Sequence, residues 1–502
     1  MNRGLRNGAA NSERGFALFM AIFTVLLVTA IGAGMILLTN TDTSISANFR
    51  DEQRAFFSAK GGIEEVRDRF RGSATNSLAA NLPTALPGNT NGVLYVLNAN
   101  GGADTPWVTN GAAYPDTEIC TEMANMGAAC AGTPAVPAGS PWYTSTTASA
   151  AYAASPVMDW KWVRITAKTN RTSSGSASFS TVDGNNSDTN ERVCWTGATE
   201  VPVANTYASC GAASAGYQQV YVLTALSVTP SGSRRMVQAE ATATTFPTLP
   251  GAMIFDGSNP SYSAPNSAAF TVTGNDQSAP GNSYGPGASC ASGRPAQYAL
   301  GGYDGPSVTA LTNDVNRPAS YTGAGGTPSV SNVNSALGSL STVGGLEALV
   351  TEVTNSASAG NVYNGATSGL TNPGTIANPV INVVNGDLTL GGGFNGAGII
   401  LVTGNLTISG NPSYSGLILV IGKGSVTKNG GGNGTLDGSI LVANLYNSAS
   451  PPVLLPPTSN PGAPTINWNG GGNATIQYDS CWSTALSNSL AYRIVGVREI
   501  IN

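Results

Sequence analysis

ERGFALFMAIFTVLLVTAIGAGMILL, residues 13–38, is the stretch on which the reading of the whole chain turns. From Phe16 to Leu38 it runs 23 residues without a charge, broken only by Thr24, Thr29 and two glycines. At about 1.5 Å per residue, a helix of that length crosses the hydrocarbon core of a bilayer. Arg3, Arg6 and Arg14 precede it against Glu13 alone. The short N-terminus is therefore expected in the cytoplasm and the remainder on the far side. Three fates fit such a segment. It is a cleaved export signal with a small-residue exit site near Ala30 to Gly34, a passive anchor, or an apolar helix that survives a cut at the Gly15–Phe16 bond.

The residues that come next separate these fates. Ile45, Phe49, Phe56, Ala59, Ile63, Val66 and Phe70 recur at intervals of three, four or seven, which is one apolar stripe on a helix. Asp51, Glu52, Arg54, Lys60, Glu64, Arg67, Asp68 and Arg71 occupy the opposite face. Gly61-Gly62 weakens a helix by roughly 1 kcal/mol per glycine and marks a bend or a tight packing point. No proline occurs before Pro83. A single helix of about 55 residues is expected, its first half in lipid and its second against a folded body. A discarded signal has no reason to continue in this way.

The order of these features resembles the N-terminal region of PilX-type minor pilins of type IV pili. The matching residues are the basic leader, Arg14-Gly15, the apolar helix, Asn48-Phe49-Arg50-Asp51 and Ala55-Phe56-Phe57-Ser58-Ala59-Lys60-Gly61-Gly62-Ile63-Glu64-Glu65. The resemblance covers roughly residues 14–70. It departs at Lys60, where such proteins usually carry an acid, and at Gly61, where they carry alanine. It implies that a prepilin peptidase cuts after Gly15 and that the new N-terminus, Phe16, is methylated. It also implies insertion in the inner membrane with the body in the periplasm, and then assembly with other pilins into a cell-surface filament. Major pilins carry glutamate at the fifth mature position, where this chain has Met20. Without that carboxylate to offset a neighbouring amino terminus in the low-dielectric filament core, the subunit is expected at or near the tip.

Composition narrows the body. Only 10% of the 502 residues are charged, against roughly 25% in ordinary soluble domains. The 63 glycines and 29 prolines favour strands and turns over surface helices. A net charge of −5 makes nucleic acid a poor partner. The absence of histidine removes the usual catalytic base and the commonest zinc ligand. Six cysteines, all beyond the apolar segment and without a Cys-x-x-Cys pair, read as disulfides formed after export. Six cysteines allow 15 pairings. Local closure suggests Cys120 with Cys130 and Cys194 with Cys210, leaving Cys290 for Cys481.

Residues 73–159 are irregular and read as loops. Strands are expected at Trp160–Lys168, Gln219–Val228 and Arg235–Ala243, the last two joined as a hairpin through Pro230-Ser-Gly-Ser. Past Pro250 a Gly/Ser-rich region holds one helix-like patch at Gly345–Val353. A repeat comes after it. Gly386-Asp-Leu-Thr-Leu, Gly404-Asn-Leu-Thr-Ile and Gly422-Lys-Gly-Ser-Val start 18 residues apart. Gly398-Ile-Ile-Leu-Val, Gly416-Leu-Ile-Leu-Val and Gly438-Ser-Ile-Leu-Val recur with them, the second interval longer by four residues that the Gly430-Gly-Gly-Asn-Gly loop absorbs. Such a period suggests coils of a parallel β-helix, with Tyr478-Asp-Ser-Cys-Trp as a cap.

The fold class expected is α+β followed by all-β: a long N-terminal membrane helix packed on an antiparallel sheet, then a β-rich domain with short parallel β-helix coils. The divisions are a leader (1–15), a transmembrane segment (16–38), the amphipathic continuation of the helix (39–72) and a β domain with insertions (73–248). A Gly/Ser-rich region (249–375) and a β-helix-like domain with its cap (376–502) complete the chain.

Candidate chemistry is sparse. Gly281-Asn-Ser283-Tyr-Gly285 matches the nucleophile-elbow pattern but has neither a strand-to-helix setting nor a histidine, and reads as a loop. Asp183-Gly-Asn185-Asn-Ser187-Asp188-Thr-Asn-Glu191 alternates oxygen ligands without the central glycine of a calcium loop, and reads as a solvated turn. Asp387, Asp437, Lys423 and Lys428 are the charges available to a polysaccharide-cleaving site on the coils, and they form no evident cluster. No catalytic residue, cofactor or metal is expected. The reading is a minor pilin-like subunit whose β-rich domain serves adhesion or capping, with a glycan or surface receptor as its ligand. Alternatives are a membrane-anchored β-helix enzyme acting on polysaccharide and a type II secretion pseudopilin.

Overall fold

The structure, a computed structural model, describes residues 12–72, 74, 76–98, 104–108, 112–119, 143–147, 158–172, 180–185, 190–214, 216–244, 246–285, 290, 293–468, 472–487 and 490–500. One helix, α1, runs without interruption from Ser12 to Asp68, 57 residues or about 85 Å. Its periodic stripe divides by burial. Ala59, Ile63, Val66 and Phe70 are buried and Phe56 is half-buried, whereas Ile45 and Phe49 stand exposed.

The buried part of α1 lies on a largely antiparallel sheet. Trp160–Ala167, Gln218–Val228 and Arg234–Thr242 form its centre, paired in that order. Alternate residues of these strands, among them Val163, Ile165, Leu223, Ala225, Val237 and Ala239, meet the helix stripe. Val93–Leu97 extends the sheet within the region expected to be loops, and Tyr143–Thr147 pairs parallel to it at the edge. The far face carries Val93, Tyr95, Trp162 and Met236 against Ile119. At its middle lies Arg164, wholly buried, which donates to Asp116 at 2.7 Å and to Glu118 and Thr224. Asp116 also accepts from the Tyr95 hydroxyl and the Ile119 amide. A buried charge persists only when so surrounded, and this set ties residues 112–119 to the sheet.

Beyond Thr244, up to residue 478, every pairing of strand with strand among the described residues is parallel. The chain steps between two sheets. Val380–Asn385, Asn395–Val402, Ser413–Gly422, Thr435–Asn444 and Thr475–Tyr478 lie side by side in one of 11 strands. Leu388–Leu390, Asn405–Ser409, Ser425–Asn429 and Thr465–Trp468 lie side by side in one of six. The two repeat patterns arise from this. Gly-Ile-Ile-Leu-Val is apolar throughout because both faces of the larger sheet are covered: Ile400 and Val402 face the smaller sheet, and Ile399 and Leu401 face the helices Val343–Ser356 and Cys481–Ser487. Asn-Leu-Thr-Ile alternates because the smaller sheet buries one face only.

Four expectations need correction. The third copy of the alternating pattern begins at Gly424, not Gly422, because Leu406 pairs with Val426. Strand Ser413–Gly422 runs two residues further than its predecessor, so the glycine loop absorbs only half of the extra four residues. Residues 249–375 also interleave with later strands: Gly251–Asp256 pairs with Thr435–Asn444, and Ser261–Ser263 with Thr465–Trp468. No break in hydrogen bonding therefore falls at residue 375. Finally, helix Cys481–Ser487 packs on the flank of the larger sheet, with Trp482 and Leu486 buried, and does not cap the stack. The chain then returns to its first sheet, where Arg493–Ile500 pairs antiparallel with Arg234–Thr242.

Candidate functional site

The most unusual surface of the molecule is the first part of α1. From Phe16 to Arg50 no residue is buried, and Phe16, Leu18, Phe19, Ile36, Leu37 and Leu38 are all about two-thirds exposed. The helix is long and apolar enough to cross a membrane. Its hydroxyls suit that solvent. Thr24 donates to the Met20 carbonyl at 2.7 Å and Thr29 to the Val25 carbonyl at 2.7 Å, so neither leaves an unpaired donor on the apolar surface. Thr39, Thr41, Thr43 and Ser44 repeat the same backbone bond beyond the apolar stretch.

The Gly15–Phe16 bond lies within this continuous helix, and Met20, one turn further on, is exposed among the apolar residues. The body begins to hold α1 at Glu52 and Arg54, which pair with Arg235 at 2.7 Å and Asp159 at 2.6 Å. Lower down, Arg67 donates to the Tyr492 carbonyl and Arg71 to that of Ser356. The glycine pair is a packing point and not a break. A methyl on Gly62 would lie 2.9 Å from the Trp160 ring, and one on Gly61 would lie 2.6 Å from the Met158 sulfur. Lys60 stays exposed, with its ammonium 5.8 Å from the Phe56 ring.

Cys194 is joined to Cys210 and Cys290 to Cys481, with Cα separations of 5.7 and 6.0 Å. Cys120 and Cys130 lie outside the described residues. Asp183 accepts from the Asn185 amide at 2.9 Å and the Asn170 side chain at 3.1 Å, bonds that lower its pKa. Its carboxylate thus closes a turn. Ser187 and Asp188 lie outside the described residues. Among the described residues no group of three His, Cys, Asp or Glu side chains is placed to hold a metal. Ser283 comes directly after a single 3-10 turn, Pro280–Asn282, in a loop.

The four charges expected on the coils do not converge. Asp387 and Lys423 form an exposed pair at 3.0 Å, Lys428 is buried and donates to the Asn429 and Gly430 carbonyls, and Asp437 bonds Gln477 and Trp482. A tighter cluster escaped the sequence. Arg294 meets Asp276 at 2.9 Å and Asp479 at 3.3 Å, and Asp479 accepts from Tyr284 at 2.8 Å. Burial, with Asp437 close by, pushes Asp479 up to about 7. These residues are 8 to 203 positions apart, so no local motif announces them. Asp276 and Asp479 are almost wholly enclosed and bonded to backbone or side chains, which suits an internal brace better than a site open to polymer. Comparison of the chain with protein-family models, curated proteins and solved structures gave no match.

Proposed function

We propose that this chain is a minor pilin-like subunit of a type IV pilus or related filament. In this reading, prepilin peptidase cleaves between Gly15 and Phe16, Phe16 is methylated, and the mature chain waits in the inner membrane with its body in the periplasm. The helix then leaves the bilayer and packs among the helices of other pilins. The observation that carries the reading is the division of α1 into a bare apolar length and a length clamped to the body through Glu52, Arg54 and Arg67. A plain anchor has no need of Ile45 and Phe49, which lie past the membrane-length segment and remain exposed on the body's own stripe. Met20 in place of a glutamate supports a position at or near the tip.

The stacked parallel strands from Val380 onward support coils of a short β-helix, which the filament would display for adhesion or capping, a glycan or surface receptor being the ligand. No catalytic role is proposed: Asp387 and Lys423 pair with each other, Lys428 bonds backbone carbonyls, and Asp437 bonds the Gln477 and Trp482 side chains. The test is the mass of the N-terminal peptide from mature protein purified from membranes. A methylated peptide starting at Phe16 is expected. A terminus near Gly34 would refute the reading.

A further inference from the structure

Where α1 leaves the body, an open cavity of about 330 Å³ lies between the start of strand Trp160–Ala167 and the hairpin turn of the first sheet. Tyr114, Lys161, Thr229 and Arg234 line it, with Asp159 and Val228. Its place in the molecule is set by the pairs Arg54–Asp159 and Glu52–Arg235, which hold the topmost clamped turn of the helix to the same edge. The Lys161 ammonium lies 4.9 Å from the centre of the Tyr114 ring, and the Arg234 guanidinium 5.7 Å from it. One aromatic ring thus gathers two cations that would otherwise repel each other.

Neither cation forms an ion pair among the described residues. Asp159 is committed to Arg54, and Asp104, which feels the Lys161 charge, forms no ion pair with it. In a chain of net charge −5, two cations that line one concavity without an ion pair among the described residues call for an anion. We propose that this cavity binds a phosphate group, held by the Lys161 ammonium and the Arg234 guanidinium. Two cations match the charge of a phosphate, and arginine offers it a two-point hydrogen bond. The volume sits at the small end of ligand pockets, sufficient for a glycerophosphate and not for a long polymer. The source is either a soluble phosphate ester or the headgroup of an anionic lipid. The lipid source rests on the membrane reading of α1; the phosphate site does not.

The full chain in neutral detergent tests this by titration calorimetry with inorganic phosphate, glycerol 3-phosphate, and micelles doped with phosphatidylglycerol or phosphatidylcholine. Glycerol 3-phosphate binding is expected, weakened at least ten-fold in Lys161→Gln/Arg234→Gln and unchanged in Arg317→Ala, a control on an exposed cation elsewhere. Tighter binding of phosphatidylglycerol micelles than of glycerol 3-phosphate identifies the lipid source, and equal or weaker binding identifies a soluble ester. Absence of binding by all the phosphate probes overturns the site, as does binding that the double variant leaves intact. An unaltered thermal midpoint of the double variant without phosphate shows that any loss is not unfolding. A terminus near Gly34 with phosphate binding retained would remove the filament reading and leave the cavity assignment standing.

Discussion

Gly61 and Gly62 are neighbours in sequence, yet they face different surfaces. The flexible end of Met158 opposes Gly61, whereas the rigid Trp160 ring opposes Gly62. Alanine gains about 1 kcal/mol of helix propensity at either position. At Gly61 the thioether can turn aside, so Gly61→Ala is expected to be neutral or slightly stabilising. At Gly62 the ring cannot, and overpacking of about 1–3 kcal/mol outweighs the gain. Urea unfolding of the two variants checks the opposite signs. Glu65, one turn below, carries a second residue-level consequence. Its Oε1 is buried without a partner, and burial, only partly offset by Arg69, pushes the carboxyl from 4.5 up to about 7. The folded chain keeps a proton that the unfolded chain releases, so stability is greatest below about pH 4.5 and falls as pH rises toward 7, by about 3 kcal/mol at most. Glu65→Gln should flatten that fall, seen as a smaller difference in unfolding free energy between about pH 4.5 and pH 8. An unchanged pH profile would count against the buried carboxyl. Asp256, wholly enclosed with both carboxyl oxygens unpartnered, acts in the same direction.

Among the elements, the long strands of the larger parallel sheet share one device. Gly398, Gly416 and Gly438 lie in register with φ of 130°, 133° and 141°. A methyl on any of them would overlap the carbonyl of the residue below, Val380, Gly398 or Gly416. The glycine that opens each Gly-x-Ile-Leu-Val copy therefore bends its strand where rungs approach most closely. Gly416→Ala is expected to cost about 3 kcal/mol or more. Gly430→Ala, at a loop glycine of φ 77° with open space around it, should cost about 1 kcal/mol. Chemical denaturation distinguishes them. This element was legible because the repeat is local and each copy carries a full strand. The helix was legible because its period persists from Ile45 to Phe70, and the hairpin at Gln218–Thr242 because its turn is short. Strands of three residues such as Ser261–Ser263 carry no period, and their partners lie some 200 positions away. Arg164 was hidden for a related reason: in Trp-Lys-Trp-Val-Arg-Ile it occupies an ordinary outward place, and only the arrival of Asp116 and Glu118 makes that face an interior. The phosphate cavity is equally non-local, since Tyr114, Lys161 and Arg234 come from three separate segments.

For the whole molecule, the first 35 residues of α1 from Phe16 stand clear of the body, about 52 Å of helix against a hydrocarbon core of about 30 Å. The excess carries Ile45 and Phe49, 60% and 61% exposed. Phe49→Asp is expected to leave folding unchanged within about 0.5 kcal/mol and to abolish recovery of the subunit in sheared filaments while it remains in the membrane fraction. Recovery in filaments at the parental level would show that this stripe takes no part in assembly. The return of residues 493–500 to the first sheet bears on how such an assembly carries load. Residues 244–492 leave and re-enter between two adjacent strands, and the Thr244 hydroxyl reaches the Ala491 carbonyl at 3.0 Å. The larger parallel portion is thus a loop grafted into a socket, with entrance and exit side by side. In the proposed filament, tension drawn along α1 would reach the socket first and bypass the graft, leaving residues 244–492 unstretched.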